Sequence, residues 1–118
     1  MSITLAELGE TKLLDRLARF APSGQLNDDT ALLPPDPRAL LINTDVMVDG
    51  VHFSDATTAP ADVGWRAVVA NLSDLAASGS EQVEGITVGL VAHGTTPWWW
   101  VEQVYQGISE ALECFGGT

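Results

Sequence analysis

The sequence is short of basic side chains, sulfur and histidine, and each shortage closes off a class of chemistry. Its 118 residues carry five Lys and Arg against sixteen Asp and Glu, a formal charge of −11. Nucleic acid and anionic membrane surfaces both demand a basic face, so no nucleic-acid or membrane partner is expected. Lys12 is the only lysine. A Gly-x-x-x-x-Gly-Lys-Ser/Thr phosphate loop is absent, and so is the protein-kinase motif set. Residues 67–118 contain no Lys or Arg. An anion bound there must use backbone N–H groups, metal, or basic groups from elsewhere in the protein or a second subunit. Cys114 is the single cysteine, so no internal disulfide forms, and a reducing cytoplasm is the expected compartment. The only histidines, His52 and His93, lack metal-ligand spacing; zinc, which favours Cys and His, is a poor fit. No apolar run approaches a membrane span, and the N-terminus lacks signal-peptide order.

What is present reads as one globular domain, 46% apolar and 18% charged. A first helix is predicted from Thr4 to Phe20. Thr4 and Glu7 form a capping box, Ile3 and Leu8 a hydrophobic staple, and Pro22 with Gly24 the stop. Leu14, Leu17, Ala18 and Ala21 supply its stripe. Asn27-Asp28-Asp29 is turn chemistry. Strands are predicted at 30–33, 39–43 and 46–53, the last broken at Asp49-Gly50. A second helix runs from Pro60 to Ser78 with Gly79 as its cap. A strand at 85–92 precedes a third helix, opened by Thr96-Pro97 and ended by Gly116-Gly117. Its stripe is Val101, Val104, Tyr105, Ile108, Leu112 and Phe115. Trp98, Trp99 and Trp100 read as helix-start packing or an interface. Helix, three strands, helix, strand, helix describes an α/β domain: a small mixed sheet covered by helices.

Four aspartates stand out. Asp28 and Asp29 sit in a turn, Asp45 closes an apolar strand, and Asp74 lies inside a helix. Asp74 shares a small-residue face with Ala67, Ala70, Asn71 and Ser78, and its apolar neighbours argue for burial. A buried unpaired charge costs several kcal/mol, and with so few cations a metal is the natural partner. Magnesium takes hard oxygen ligands, one or two carboxylates per ion, and keeps several waters. Three or four carboxylates plus the Thr44 hydroxyl suit a multi-ion site against phosphates. On composition alone, Asp28-Asp29 is a solvated turn, His52 a structural histidine, and Tyr105 a core or interface residue.

Several stretches carry a family resemblance: Leu26-Asn27-Asp28-Asp29-Thr30-Ala31-Leu32-Leu33, Asn43-Thr44-Asp45, Gly50-Val51-His52-Phe53, Gly64-Trp65, and Asn71-Leu72-Ser73-Asp74-Leu75-Ala76-Ala77. In order and spacing the chain resembles the N-terminal domain of the thiamine-monophosphate kinase family, within the aminoimidazole-ribonucleotide synthetase-like superfamily. The resemblance implies that residues 1–118 are an N-terminal ATP- and Mg²⁺-binding domain, with the C-terminal domain outside this chain. It implies a kinase of thiamine biosynthesis, a transferase that passes the ATP γ-phosphoryl group to thiamine monophosphate and makes thiamine diphosphate. Mg²⁺ would be held at Asp29, Asn43, Thr44, Asp45 and Asp74. His52 would meet the substrate and Tyr105 the nucleotide, and no side chain is singled out as catalytic. The partners implied are ATP, thiamine monophosphate and a second copy in a homodimer joined through the sheet. The chain alone is expected to be inactive. Asn27 and Asn43 stand where the family has Gly and Ser. Asn27 is expected to tolerate the positive φ of a glycine, and the Asn43 carbonyl to replace a hydroxyl ligand. A related superfamily enzyme with another substrate, and a non-catalytic dimerisation domain, are the alternatives.

Overall fold

Two long helices build the centre of this computed structural model, which describes residues 2–117. In chain order the α-helices are α1 (Leu5–Leu8), α2 (Glu10–Leu17), α3 (Pro60–Ala77) and α4 (Trp98–Phe115). Short 3₁₀ turns cover Ala18–Phe20 and Gln25–Asn27. The capping box forms as expected: Glu7 N–H donates to Thr4 Oγ1 at 3.3 Å, and Thr4 N–H to Glu7 Oε1 at 3.1 Å. The predicted first helix is nevertheless interrupted at Gly9, whose φ of 78° is left-handed. The break shifts the apolar stripe: Leu8 and Leu17 are buried, Leu13 packs beside them, and Leu14 is exposed.

The α3–α4 crossing is close because each helix offers a glycine to the other's backbone. A Cβ on Gly64 would fall 2.9 Å from both the Val104 carbonyl carbon and Ile108 N, with Val104 O nearer still. A Cβ on Gly107 would stand 2.7 Å from the Ala61 carbonyl carbon, and again the oxygen is nearer. This mutual notch seats a cluster of Val63, Val68, Val104, Ile108 and Ala111. A second cluster, Leu8, Leu17, Trp98 and Val101, fastens the N-terminal helices to the start of α4. Trp100 and Tyr105 pack against both. Backbone bonds reinforce that seam: Leu5 N–H to Thr96 O at 2.9 Å, Ala6 N–H to Gly94 O at 2.8 Å and Trp98 N–H to Ile3 O at 2.8 Å. Arg19 pairs with Glu102 at 2.9 Å, and the Arg16 guanidinium lies 5.4 Å from the Trp98 ring centroid. The helix-start packing role of Trp98 and Trp100 is thus met, while Trp99 is exposed.

The expected α/β class, with a small mixed sheet covered by helices and dimerising through that sheet, is corrected by the structure. Among the described residues there is no strand, only isolated bridges at Thr4–Pro97 and Asp49–Phe53. The fold is helical with long extended connections. The predicted strands at 30–33, 39–43, 46–53 and 85–92 are not laid beside one another. Among the described residues, 31–47 and 81–92 make no backbone–backbone hydrogen bond. A strand exists only with a partner ladder, and without one the peptide groups face water. Several of their aliphatic side chains stay exposed as well, Leu32 by 94%, Ile42 by 84% and Val91 by 100%, while Met47, Ile86 and Leu90 pack against the helical clusters. The radius of gyration, 15.1 Å, exceeds the roughly 13.5 Å of a compact chain this long. No helix among the described residues is long and apolar enough to cross a membrane.

Candidate functional site

The turn at Asn27–Asp29 is real and locally built. Asp28 Oδ1 accepts from Thr30 N–H at 3.0 Å and from Thr30 Oγ1 at 3.3 Å, an Asx-type turn. Its neighbour Asp29 is exposed. Asn27 lies in the 3₁₀ turn and has no positive φ, so the expected glycine-like conformation is not required of it.

Asn43 is the best-positioned member of the predicted metal set. Its Nδ2 donates to Asn71 Oδ1 at 3.1 Å and to Asn71 O at 3.3 Å. Asn71 is held in turn by donating from its own Nδ2 to Ala67 O at 2.8 Å. With the amide nitrogen engaged, the Asn43 side-chain oxygen is left as the group that can accept. The same tether brings the Asn43-Thr44-Asp45 segment against α3, one turn before Asp74. Asp45 Oδ1 accepts from Val46 N–H at 2.8 Å, and Thr44, Asp45 and Asp74 are all exposed. The buried Asp74 anticipated from its apolar neighbours is therefore corrected: its side chain is exposed, and the buried residues of α3, Val63, Gly64 and Val68, all lie in the first half of the helix, short of the turn that bears Asp74. Among the described residues no group of three His, Cys, Asp or Glu side chains lies close enough to enclose a metal ion. The donors fit magnesium in kind, since all are hard oxygens. The structure tethers the segment of three of them to α3 and leaves Asp29 on its own turn.

His52 sits in a tight turn between Asp49 and Phe53, with Gly50 at φ 79°. Its backbone N–H donates to Val48 O at 2.9 Å, and its Nδ1 accepts from Val48 N–H at 2.9 Å. Its carbonyl accepts from Arg66 Nη1 at 2.6 Å. Arg66 projects from α3 and was not among the residues singled out from sequence. The signal was available: it is the only Lys or Arg from Ala39 onward. Tyr105 is half-buried between the two clusters, its ring 5.7 Å from that of Phe20, and burial raises its phenol pKa. That is the core role its residue type implies.

The family described as AIR synthase related protein, N-terminal domain, matches residues 27–118. Thiamine-monophosphate kinase of Prochlorococcus marinus is 55% identical over 113 residues, 96% of this chain and 34% of that protein. The protein of the same name in Synechococcus elongatus is 48% identical over 111 residues, 93% of this chain and 34% of that one. The one in Aquifex aeolicus is 34% identical over 111 residues, 94% and 36%. The chain thus spans about a third of the length of these curated relatives. No solved structure matches it.

Proposed function

The chain belongs to the AIR synthase related protein, N-terminal domain, family, and from that premise we propose that it is the nucleotide- and metal-binding portion of a thiamine-monophosphate kinase. The reaction passes the ATP γ-phosphoryl group to thiamine monophosphate. The observation that carries this reading is the similarity to proteins of that name across nearly the whole chain. The geometry supports it at one point above all: the Asn43–Asn71 tether, which holds a free carbonyl oxygen and Asp45 beside the helix that bears Asp74.

In this reading Asp29, Asn43, Thr44, Asp45 and Asp74 hold Mg²⁺, His52 meets the substrate and Tyr105 lies toward the nucleotide. Bound magnesium supplies the positive charge that an acidic chain lacks. Each ion needs only one or two protein carboxylates, with phosphate oxygens and water completing its shell. The chain's own part is positioning, since phosphoryl transfer asks little covalent chemistry of the protein. A homodimer in the cytoplasm belongs to the same proposal. The chain exposes 8385 Å², whereas a compact monomer of its mass exposes about 6,200 Å². The excess is more than the roughly 800 Å² per partner of an ordinary interface.

The test joins this chain to the C-terminal two-thirds of the Prochlorococcus marinus relative. The chimera is offered Mg–ATP with either thiamine monophosphate or an aminoimidazole ribonucleotide precursor. Turnover of the first only is expected. Asp45→Asn and Asp74→Asn should each lower it at least a hundredfold with an unchanged circular dichroism spectrum. Full activity in either variant removes that residue from the metal set.

A further inference from the structure

We propose that His52 and Arg66 together form a receptor for phosphate oxygens, one neutral N–H donor and one guanidinium set side by side at the Gly50 turn. The inference rests on the reading that His52 meets the substrate, and deepens it by naming the chemical group that is met.

The tautomer of His52 follows from its partners. Val48 N–H can only donate, so the Nδ1 it reaches at 2.9 Å must be bare. A neutral ring with bare Nδ1 carries its proton on Nε2. The residue's backbone N–H is taken by Val48 O, and its carbonyl by Arg66. Three of its four hydrogen-bonding groups are therefore engaged within the turn and its α3 support. The one remaining is Nε2–H, on an exposed side chain. It is a donor, so the ligand atom it recognises is an acceptor.

Arg66 supplies the charge. The other arginines have side-chain partners: Arg19 pairs with Glu102, Arg38 with Asp36, and Arg16 lies over Trp98. Arg66 has no carboxylate partner among the described residues, and its bond to His52 O occupies one of five N–H donors. That bond also holds the guanidinium against the backbone of the residue that carries the imidazole. A planar cation with free donors beside a fixed N–H matches the several oxygens of a phosphate monoester far better than a neutral ring nitrogen or a hydroxyl. Thiamine monophosphate and ATP both present such oxygens, and the experiment separates them.

The probe is the 118-residue chain with ¹⁵N-labelled histidine, followed by long-range ¹H–¹⁵N spectra. The free protein should show His52 as the Nε2–H tautomer. Thiamine monophosphate should move the Nε2 resonance, and unphosphorylated thiamine should not. Arg66→Gln should weaken that response at least tenfold. His52→Asn, which keeps an acceptor for Val48 N–H, should abolish binding with the turn intact; His52→Gln, which keeps an outer N–H, should retain part of it. A response to ATP alone upholds the receptor while removing the substrate assignment of His52, so the two failures are told apart. An Nδ1–H tautomer, an equal response to thiamine, an unchanged affinity in Arg66→Gln, or no response to either phosphate compound overturns the proposal.

Discussion

Replacing Gly107 by alanine sets two effects of opposite sign against each other. In the interior of a helix, alanine is favoured over glycine by about 0.8–1.0 kcal/mol. Propensity alone therefore predicts a more stable protein. Position 107, however, faces the backbone of α3, where the new methyl would lie 2.7 Å from the Ala61 carbonyl carbon. Carbon atoms rest about 3.5–4.0 Å apart and the Ala61 oxygen lies nearer still, so the helices must separate by more than about 1 Å, and a gap of about 1 Å already forfeits up to half of the dispersion attraction across it. The five buried residues of the crossing, Val63, Val68, Val104, Ile108 and Ala111, all feel the separation. Overpacking costs ~1–3 kcal/mol. The upper end applies here, because a backbone carbonyl cannot rotate aside. The net is a loss of about 2 kcal/mol after the propensity gain, or about 10 °C in Tm. Urea unfolding followed by circular dichroism measures it, with Gly89→Ala as a control because nothing lies within 4 Å of its new Cβ. A Gly107→Ala protein as stable as the parent would show that the helices do not meet this closely.

Two further expectations concern titration. Arg38 donates through its side chain and its backbone N–H to Asp36 and holds that carboxyl down from 3.8 to about 2. A depressed carboxylate contributes its stability above the ordinary value, and that contribution is lost as pH falls through about 2. Carboxyl ¹³C titration should find the low midpoint, and Arg38→Gln should return it toward 3.8; an unmoved midpoint removes the pair. Burial raises the Tyr105 phenol above 10.0, so the fold favours the neutral ring and stability declines as pH climbs beyond that value. Ultraviolet titration should give a midpoint above 10.0, and one at or below it would mean an exposed ring.

The helices were the legible part of the fold, because their signals are local. Pro60 and Pro97 open α3 and α4, and the residues before Gly79 and Gly116 close them within a residue or two of expectation. Gly9 was visible too, but the capping box and staple spoke for a continuous helix, and only the observed left-handed φ separates α1 from α2. The runs at 39–43 and 85–92 were read as strands, and both are non-helical connections with no ladder partner. A sheet needs a partner many residues away, which aliphatic content cannot supply. The same limit applied to Asp74: helical spacing says which residues share its face, and says nothing of what covers that face. At the candidate site the turn at Asp28 and the motif at Asn43 were readable. The contacts that Asn71 makes with Asn43, and Arg66 with the His52 turn, act across the fold and emerged only with it.

The unpaired extended stretches have a colloidal consequence. Leu32, Ile42 and Val91 are bare aliphatic side chains of the kind that ordinarily drive chains into aggregates. What opposes this is the acidic excess, −11 at neutral pH, which keeps molecules apart at long range. That protection weakens with added salt and vanishes near the isoelectric point of about 4.1. Dispersal in solution is therefore governed less by the helical centre than by the carboxylates spread over the chain.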